Sequence, residues 1–521
     1  MERSEILLTA DSAAMSHYQR NVYLGFVSCI PDKIMPTSLY RKYFIPPVPA
    51  DERGNALQAT LSLRAVESIL LNGGFSRKDV SVIRPDFLER RVNERTRIIG
   101  LSSHDPLGLG PATTTWATIF GGTPHNRLEF LQFMKRVQRL KEQFGFKVVL
   151  GGSGAWQLVE NSLYSRLGID YLFLGEAEYS ASSLFHSLLN DAFEGDPVVK
   201  GRPTRLEDIP PIQGPTNWGL VETSRGCGRG CLYCAPTTSG KLRSIPIDTI
   251  VESARVNLND PLNTQKVIVL HSDDFLRYGS QSSDYRVNPS AIFELFDRLF
   301  EMGARNVSFT HGTFANIVAD EPFIREFTKY SLDHGVTVLG CQPGLETGSI
   351  RLMSSMMAGK TKPFSPEDWP WIVRKAMSIL DENNWHVVST LIMGLPSESR
   401  EDIRDTYRLI KSLDKYKSLY IPLFFVPMSM TRLSDRRRFM SDQMTKEHWL
   451  LLESCWRHNL RNVYGLYRGY DRHSPPFLRV LLRFSTEALR LLMQLKRASV
   501  LEKSANAPLF TESMASAEQC G

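Results

Sequence analysis

Three of the chain's seven cysteines, Cys227, Cys231 and Cys234, crowd into one short segment, Glu222 to Pro236, which reads ETSRGCGRGCLYCAP. The spacing is C-x3-C-x2-C. Thiolates are natural ligands of iron–sulfur clusters. Three on one loop can hold three irons of a four-iron four-sulfur cubane and leave the fourth iron open to a further ligand. Gly226, Gly228 and Gly230 let such a loop curl without Cβ clashes. Tyr233, just before the last cysteine, offers an aromatic wall against solvent. A structural zinc site asks for four ligands, usually in paired C-x2-C groups. No His or fourth Cys stands close in sequence, so the zinc reading is weak.

The rest of the composition sets bounds. The chain has 521 residues, which suggests two or three domains. With 42% hydrophobic and 23% charged residues it reads as a soluble globular protein. A formal net charge of +6 is modest at this length and argues for neither nucleic acid nor membrane. No aromatic-plus-basic strand patch appears, so no nucleic-acid partner is expected. The remaining cysteines, Cys29, Cys341, Cys455 and Cys520, are scattered and read as free thiols. Crowded rather than evenly spread cysteines favour a metal site in a reducing compartment over a disulfide framework. The N-terminus, Met1 to Ala14, reads as no secretory signal, and no apolar run reaches the ~18 residues of a spanning helix. The expectation is a cytoplasmic protein with no membrane span.

Elements must position the cysteine loop. Apolar spacing predicts helices over Leu61–Leu71, ended by Gly73-Gly74, and over Leu128–Phe144. Short β-branched runs predict strands at Val80–Ile83, Arg97–Leu101, Lys147–Leu150 and Tyr171–Leu174. Strands alternating with helices mean a parallel sheet with crossovers. Residues 191–216, rich in Pro and Asp, read as a linker. A second α/β series follows, with strands near 219–223, 267–270, 306–310, 336–340, 387–393 and 419–426 and helices such as Pro289–Met302 and Glu401–Leu413. The expected organisation is an N-terminal extension (1–57), an α/β domain (58–195), a partial barrel (213–430) and a helical C-terminal region (431–521) with a disordered end.

At this point the chain resembles the radical S-adenosylmethionine (SAM) superfamily. The C-x3-C-x2-C loop after the first barrel strand, with an aromatic before its third cysteine, is that family's signature. Further segments fall in the family's order. HSDDF (His271–Phe275) ends the second strand, GLETGS (Gly344–Ser349) follows the fourth and LIMGLPSES (Leu391–Ser399) the fifth. The resemblance implies that Cys227, Cys231 and Cys234 hold a 4Fe-4S cluster. It also implies that Asp273, Asp274, Glu346, Ser349 and Gly394 contact SAM. Barrel enzymes build their sites on this C-terminal edge of the strands. Singly, each segment has a plainer explanation; GLETGS also suits a turn and helix cap.

Residues 58–190 resemble the flavodoxin-like, cobalamin-binding-type domain that precedes many radical SAM barrels. The supporting text is VVLGGSGAW (Val148–Trp156) and FLGEAE (Phe173–Glu178). The D-x-H-x-x-G motif that supplies a cobalt-binding His is absent; SSHDPLG (Ser102–Gly108) has other spacing. Cobalamin is therefore a candidate cofactor, with a capping domain that binds nothing as the alternative. The Gly/Pro/Thr-rich DPLGLGPATTTW (Asp105–Trp116) is expected to form a loop facing the barrel mouth. Phe477–Arg497 reads as an amphipathic helix, either covering the barrel's open side or lying on a membrane surface.

The resemblance implies a transferase that cleaves SAM reductively and passes a SAM-derived group, 3-amino-3-carboxypropyl or methyl, to a small-molecule acceptor such as arsenite in specialised metabolism. Its reducing partner would be of flavodoxin or ferredoxin type. The competing reading is a non-enzymatic iron–sulfur or zinc scaffold or sensor.

Overall fold

The structure is a computed structural model that describes residues 4–20, 22–235, 240–281 and 283–470. The helix expected at Phe477–Arg497, the polar end and Cys520 lie outside the described residues.

The N-terminal domain is a parallel six-stranded sheet of β1 (Ile6–Thr9), β2 (Val80–Val82), β3 (Ile98–Ser102), β4 (Lys147–Gly151), β5 (Tyr171–Leu174) and β6 (Val198–Lys200), in the order β2-β1-β3-β4-β5-β6. Side chains alternate along a strand. Ile6 and Leu8 therefore pack in one apolar layer with helices Leu61–Asn72 and Ala181–Leu189, while Leu7 faces the other with helix His125–Phe144. Both faces are covered, as a parallel sheet requires.

Two expected boundaries move. Residues 1–57 are not a separate extension, because Ile6 pairs with both Val80 and Ile98 and β1 is an inner strand. The expected linker 191–216 contains β6, which pairs with β5 from Leu172↔Val198 onward. The Gly/Pro/Thr-rich stretch also departs from expectation. Pro111–Phe120 is a helix with Pro in its first turn, where a missing N–H costs nothing.

The second domain has β7 (Leu220–Glu222), then a short antiparallel pair, β8 (Ser224–Arg225) with β9 (Arg243–Ser244), then β10 (Val267–His271), β11 (Asn306–Phe309), β12 (Gly340–Cys341), β13 (His386–Met393) and β14 (Ser418–Phe424). The parallel sheets β11-β10-β7 and β12-β13-β14 meet where Gln342 N–H donates to Thr310 O at 3.1 Å. Six parallel strands with outer helices make the expected partial (β/α)6 barrel, and the α/β class is borne out. The fourth strand begins later than expected, because pairing starts only at Gly340↔His386.

The free edge of β14 is covered from two directions. The Asn459 side chain, on helix Lys446–Tyr470, accepts from Tyr420 N–H and donates to Tyr420 O, each at 2.8 Å. Thr115 Oγ1, on the N-terminal domain's helix, accepts from Phe424 N–H at 2.8 Å. Trp116, Phe120 and Trp456 stack beside this contact. An edge strand left bare would be a template for aggregation; here it is the seat of an interdomain contact.

Candidate functional site

The cysteine loop leaves β8 and returns at β9, above the C-terminal ends of β7 and β10. Gly226, Gly228 and Gly230 all have φ near +70°, the left-handed region that glycine adopts without strain. A Cβ at Gly226 would stand 2.4 Å from Lys241 O, so the loop's two arms touch there.

Two buried arginines fix the loop from below. Arg229, inside the C-x3-C spacing, donates from Nε to Asp274 Oδ2 at 3.1 Å. Its Nη1 donates to three carbonyls, of Gly359, Lys360 and Lys362, and its Nη2 to Thr313 Oγ1 and Asn316 Oδ1. Arg277 donates to Cys227 O at 2.5 Å and to the carbonyls of Gln281 and Asp284. Tyr285 presents its ring to both guanidinium groups. Five donors in a rigid fork suit this bridging role better than a lysine would.

Cys227 and Cys231 are half-buried and Cys234 is exposed. Burial first, then the charges of Asp274 and Cys231, pushes the Cys227 thiol up to about 11, against a hydrogen bond from Arg229 N–H. Such thiols become ligands when a metal displaces their protons. Among the described residues, no three His, Cys, Asp or Glu side chains converge on a position for a single ion. Three soft donors on one curled loop are the donor type of an iron–sulfur cluster.

Facing the loop is a buried ion pair that the sequence did not disclose. Lys360 Nζ lies 2.5 Å from Glu346 Oε1 and 3.4 Å from the Tyr233 hydroxyl. Burial alone would lower the Lys360 pKa, but Glu346 and the Cys231 and Cys227 thiols hold it above its ordinary value. Glu346 has φ +60° and is locked to β13: its N–H donates to Thr390 O and its O accepts from Ile392 N–H. Gly344 makes room, since a Cβ there would fall 2.0 Å from Glu346 Oε1 and 2.6 Å from Lys360 Nζ.

The other expected SAM contacts divide. Asp273 is exposed, and its Oδ2 accepts from Gly226 N–H at 2.7 Å, so it steadies the cysteine loop at the mouth. Asp274 is fully buried, with Oδ2 paired to Arg229, so it anchors the loop, while its Oδ1 has no hydrogen-bond partner. Ser349 is also closed off, at 1% exposure. It caps helix Ile350–Met356 through Leu352 N–H and donates to Asp402 Oδ1. Gly394 (φ +78°) donates its N–H to Glu398 at 2.7 Å, and a Cβ there would meet the Phe439 ring at 1.9 Å. Glu346 pairs with Lys360 beside the loop, while Asp273 and Asp274 stand close enough for their charges to act on Cys234 and Cys227. His271 and His311, from neighbouring strand ends, meet edge to face at 6.3 Å. Burial and then His271 push His311 down to about 4.

The glycines of VVLGGSGAW serve the chain's own packing. A Cβ at Gly152 would meet Ser103 O at 2.6 Å, and one at Gly154 would meet His104 O at 2.3 Å. His104 itself is hydrogen-bonded to Ser153 Oγ at 2.6 Å. These contacts reflect the close approach of two loops at this turn.

Residues 221–410 match the family model described as the radical SAM superfamily. Among curated proteins, the tRNA-2-methylthio-N(6)-dimethylallyladenosine synthase of a Nitratiruptor species is 23% identical over 259 residues, which are 48% of this chain and 55% of that protein. The protein of the same name from Helicobacter acinonychis (strain Sheeba) is 27% identical over 283 residues, 49% of this chain and 59% of its own length. The chain thus spans little more than half the length of these curated relatives. Among solved structures, the radical SAM methyltransferase TsrM from Kitasatospora setae, with tryptophan substrate and the SAM analogue aza-SAM bound, aligns at TM-score 0.47 and 14% identity over 80% of this chain and 73% of that one. The cobalamin-dependent SAM radical enzyme OxsB aligns at TM-score 0.47 and 13% identity, over 84% of this chain and 55% of that one.

Proposed function

We propose, from the match of residues 221–410 to the radical SAM family model, that Cys227, Cys231 and Cys234 hold a 4Fe-4S cluster at which SAM is cleaved, with transfer of a SAM-derived group to a small-molecule acceptor. The observation that carries this reading is the buried Lys360–Glu346 pair, whose Lys360 reaches the Tyr233 hydroxyl inside the three-cysteine loop. When bound, the cluster supplies the electron that breaks a carbon–sulfur bond of SAM. The chain's own residues bind and exclude. Lys360 offers a cation and Glu346 a carboxylate within one low-dielectric site, complementary to a ligand that carries carboxylate, ammonium and a ribose diol. Arg229, Arg277 and Asp273 hold the loop so that the thiols keep a fixed relation to that pair. Cys234, on the exposed side, is where an electron donor of flavodoxin or ferredoxin type approaches.

The acceptor belongs to specialised metabolism in this reading, with arsenite, as in arsinothricin formation, the instance in view. The test is anaerobic reconstitution with iron and sulfide, then reductant, SAM and candidate acceptors, with products read by mass spectrometry. Transfer of 3-amino-3-carboxypropyl releases 5′-methylthioadenosine. Methyl transfer leaves S-adenosylhomocysteine with 5′-deoxyadenosine and calls for cobalt analysis of the same sample. Only 5′-deoxyadenosine and methionine, with nothing added to the acceptor, would overturn the transferase reading. Replacing any of the three cysteines by Ala should abolish visible cluster absorption, whereas Cys455→Ala, in the buried core, should not. The names of the curated relatives raise a second reading, modification of a tRNA nucleoside. It predicts a SAM-dependent mass gain on tRNA in the same assay.

A further inference from the structure

The cysteine loop closes at its base through an unusual pair. In β8 and β9, Arg225 stands directly opposite Arg243. Like charges opposed across a ladder destabilise it, so something must hold these two together. Glu176 does so from the other domain. It sits on the turn leaving β5, one residue after Gly175 (φ +94°). Its Oε2 lies 3.0 Å from Arg225 Nη1, and its Oε1 accepts from Arg243 Nη2. One carboxylate, with a side chain 5% exposed, thus bridges both arms of the loop.

The turn that presents Glu176 is itself fixed. Thr204 N–H donates to Glu176 Oε2 at 2.8 Å, and Arg243 Nη1 donates to Thr204 O at 2.7 Å. A Cβ at Gly201 would fall 1.9 Å from Glu176 O, so the strand after β5 lies tight against the turn. Arg225 has two further carboxylates: Glu178 at 2.6 Å, from the same turn, and Glu222 at 2.8 Å, from β7. Arg225 precedes Cys227 by two residues. The chain therefore runs from an interdomain clamp to the first thiol with only Gly226 between.

We propose that Glu176 is a positioning residue for the cysteine loop: by gripping Arg225 and Arg243 together, the β5 turn of the N-terminal domain sets the geometry in which Cys227, Cys231 and Cys234 present a cluster to SAM. The inference rests on the cluster reading above and adds to it a task for the N-terminal domain that needs no ligand of its own. It also ranks the acids of the clamp. Loss of Glu178 leaves Arg225 with two carboxylates and Arg243 untouched. Loss of charge at Glu176 leaves two opposed arginines with no shared counter-charge, and the base of the loop opens.

The test uses the full chain, reconstituted anaerobically with iron and sulfide, as native protein and as Glu176→Gln, Glu176→Asp and Glu178→Gln. Four quantities are read: iron per chain, the electron paramagnetic resonance spectrum of the reduced cluster with and without SAM, the rate of SAM cleavage without acceptor, and the thermal unfolding profile. Glu176→Gln should keep a cooperative unfolding transition yet show an altered SAM-dependent spectrum and at least tenfold slower cleavage. Glu178→Gln should stay within threefold of native, and Glu176→Asp, which keeps the charge on a shorter arm, should recover part of the loss. Cleavage within twofold of native and an unchanged spectrum in Glu176→Gln would overturn the proposal, as would equal effects of Glu176→Gln and Glu178→Gln. Loss of the cooperative transition in Glu176→Gln would also overturn it, by assigning the contact to general stability. A native chain that takes up no iron refutes the cluster reading instead; a loaded native chain with an indifferent Glu176→Gln refutes this inference alone.

Discussion

Replacing Lys360 by Met removes one half of the Glu346–Lys360 pair while keeping the length of the side chain. The pair is 2.5 Å apart, with side chains 11% and 8% exposed, so solvent screens it little. Leaving one partner of a buried pair uncompensated costs about 3–5 kcal/mol. At ~2–4 °C per kcal/mol for a domain of 150–250 residues, the barrel's Tm should fall by roughly 6–20 °C. The loss belongs to an orphaned carboxylate rather than to a missing methylene stem. Glu346→Gln in the Lys360→Met background should therefore restore most of it, because a neutral amide beside a thioether needs no cation. The single variants and the double variant form a cycle measured by calorimetry on the chain before iron loading, which separates fold from chemistry. Additive losses in the double variant would refute the reasoning, since they would show that the two side chains do not share an interaction. SAM affinity gives a second reading. If Glu346 holds SAM with Lys360 beside it, loss of a charge-assisted contact worth about 1.5–3 kcal/mol weakens binding by roughly tenfold to a hundredfold.

Two further outcomes follow from named groups. His311 is pushed down to about 4 from 6.5, so on acidification the unfolded chain takes up the proton first. The native state should lose up to about 3 kcal/mol between pH ~6.5 and ~4; His311→Gln should flatten that part of the stability profile. Asp11, raised by burial to about 6, acts with the opposite sign over pH ~3.8 to ~6 in both proteins and so cancels in the comparison. An identical slope in native and variant would show that His311 is not the titrating group. Ser349→Ala should lower Tm through loss of its helix cap, about 1 kcal/mol, and of its bond to Asp402, while SAM affinity stays unchanged; a tenfold weaker affinity would restore Ser349 as a SAM contact.

Much of the architecture was legible because its signals are local. β-branched runs separated by amphipathic helices announce a parallel sheet whatever the chain does next, and the crowding of three cysteines among glycines announces a tightly curled loop. What escaped depends on contacts between distant residues. β1 is only ILLT, too short to stand out by period, and becomes an inner strand only because β2 and β3 pair with it. The Pro111–Phe120 helix was hidden by its four threonines and a glycine-rich lead, and is settled by its packing on β14.

The candidate site shows the same limit more sharply. HSDDF offers two adjacent aspartates, and nothing in the text says which faces the mouth. One residue of offset leaves Asp273 exposed at the mouth and buries Asp274 against Arg229, 45 residues away in sequence. Lys360 stands in a segment without a motif, and its pairing with Glu346 requires the left-handed turn at Glu346 and the space beside Gly344. Motif order can locate the strand ends that build such a site. Which cation folds against each carboxylate there is not written in those motifs: Asp274 takes Arg229 from inside the cysteine spacing, and Glu346 takes Lys360 from beyond every motif.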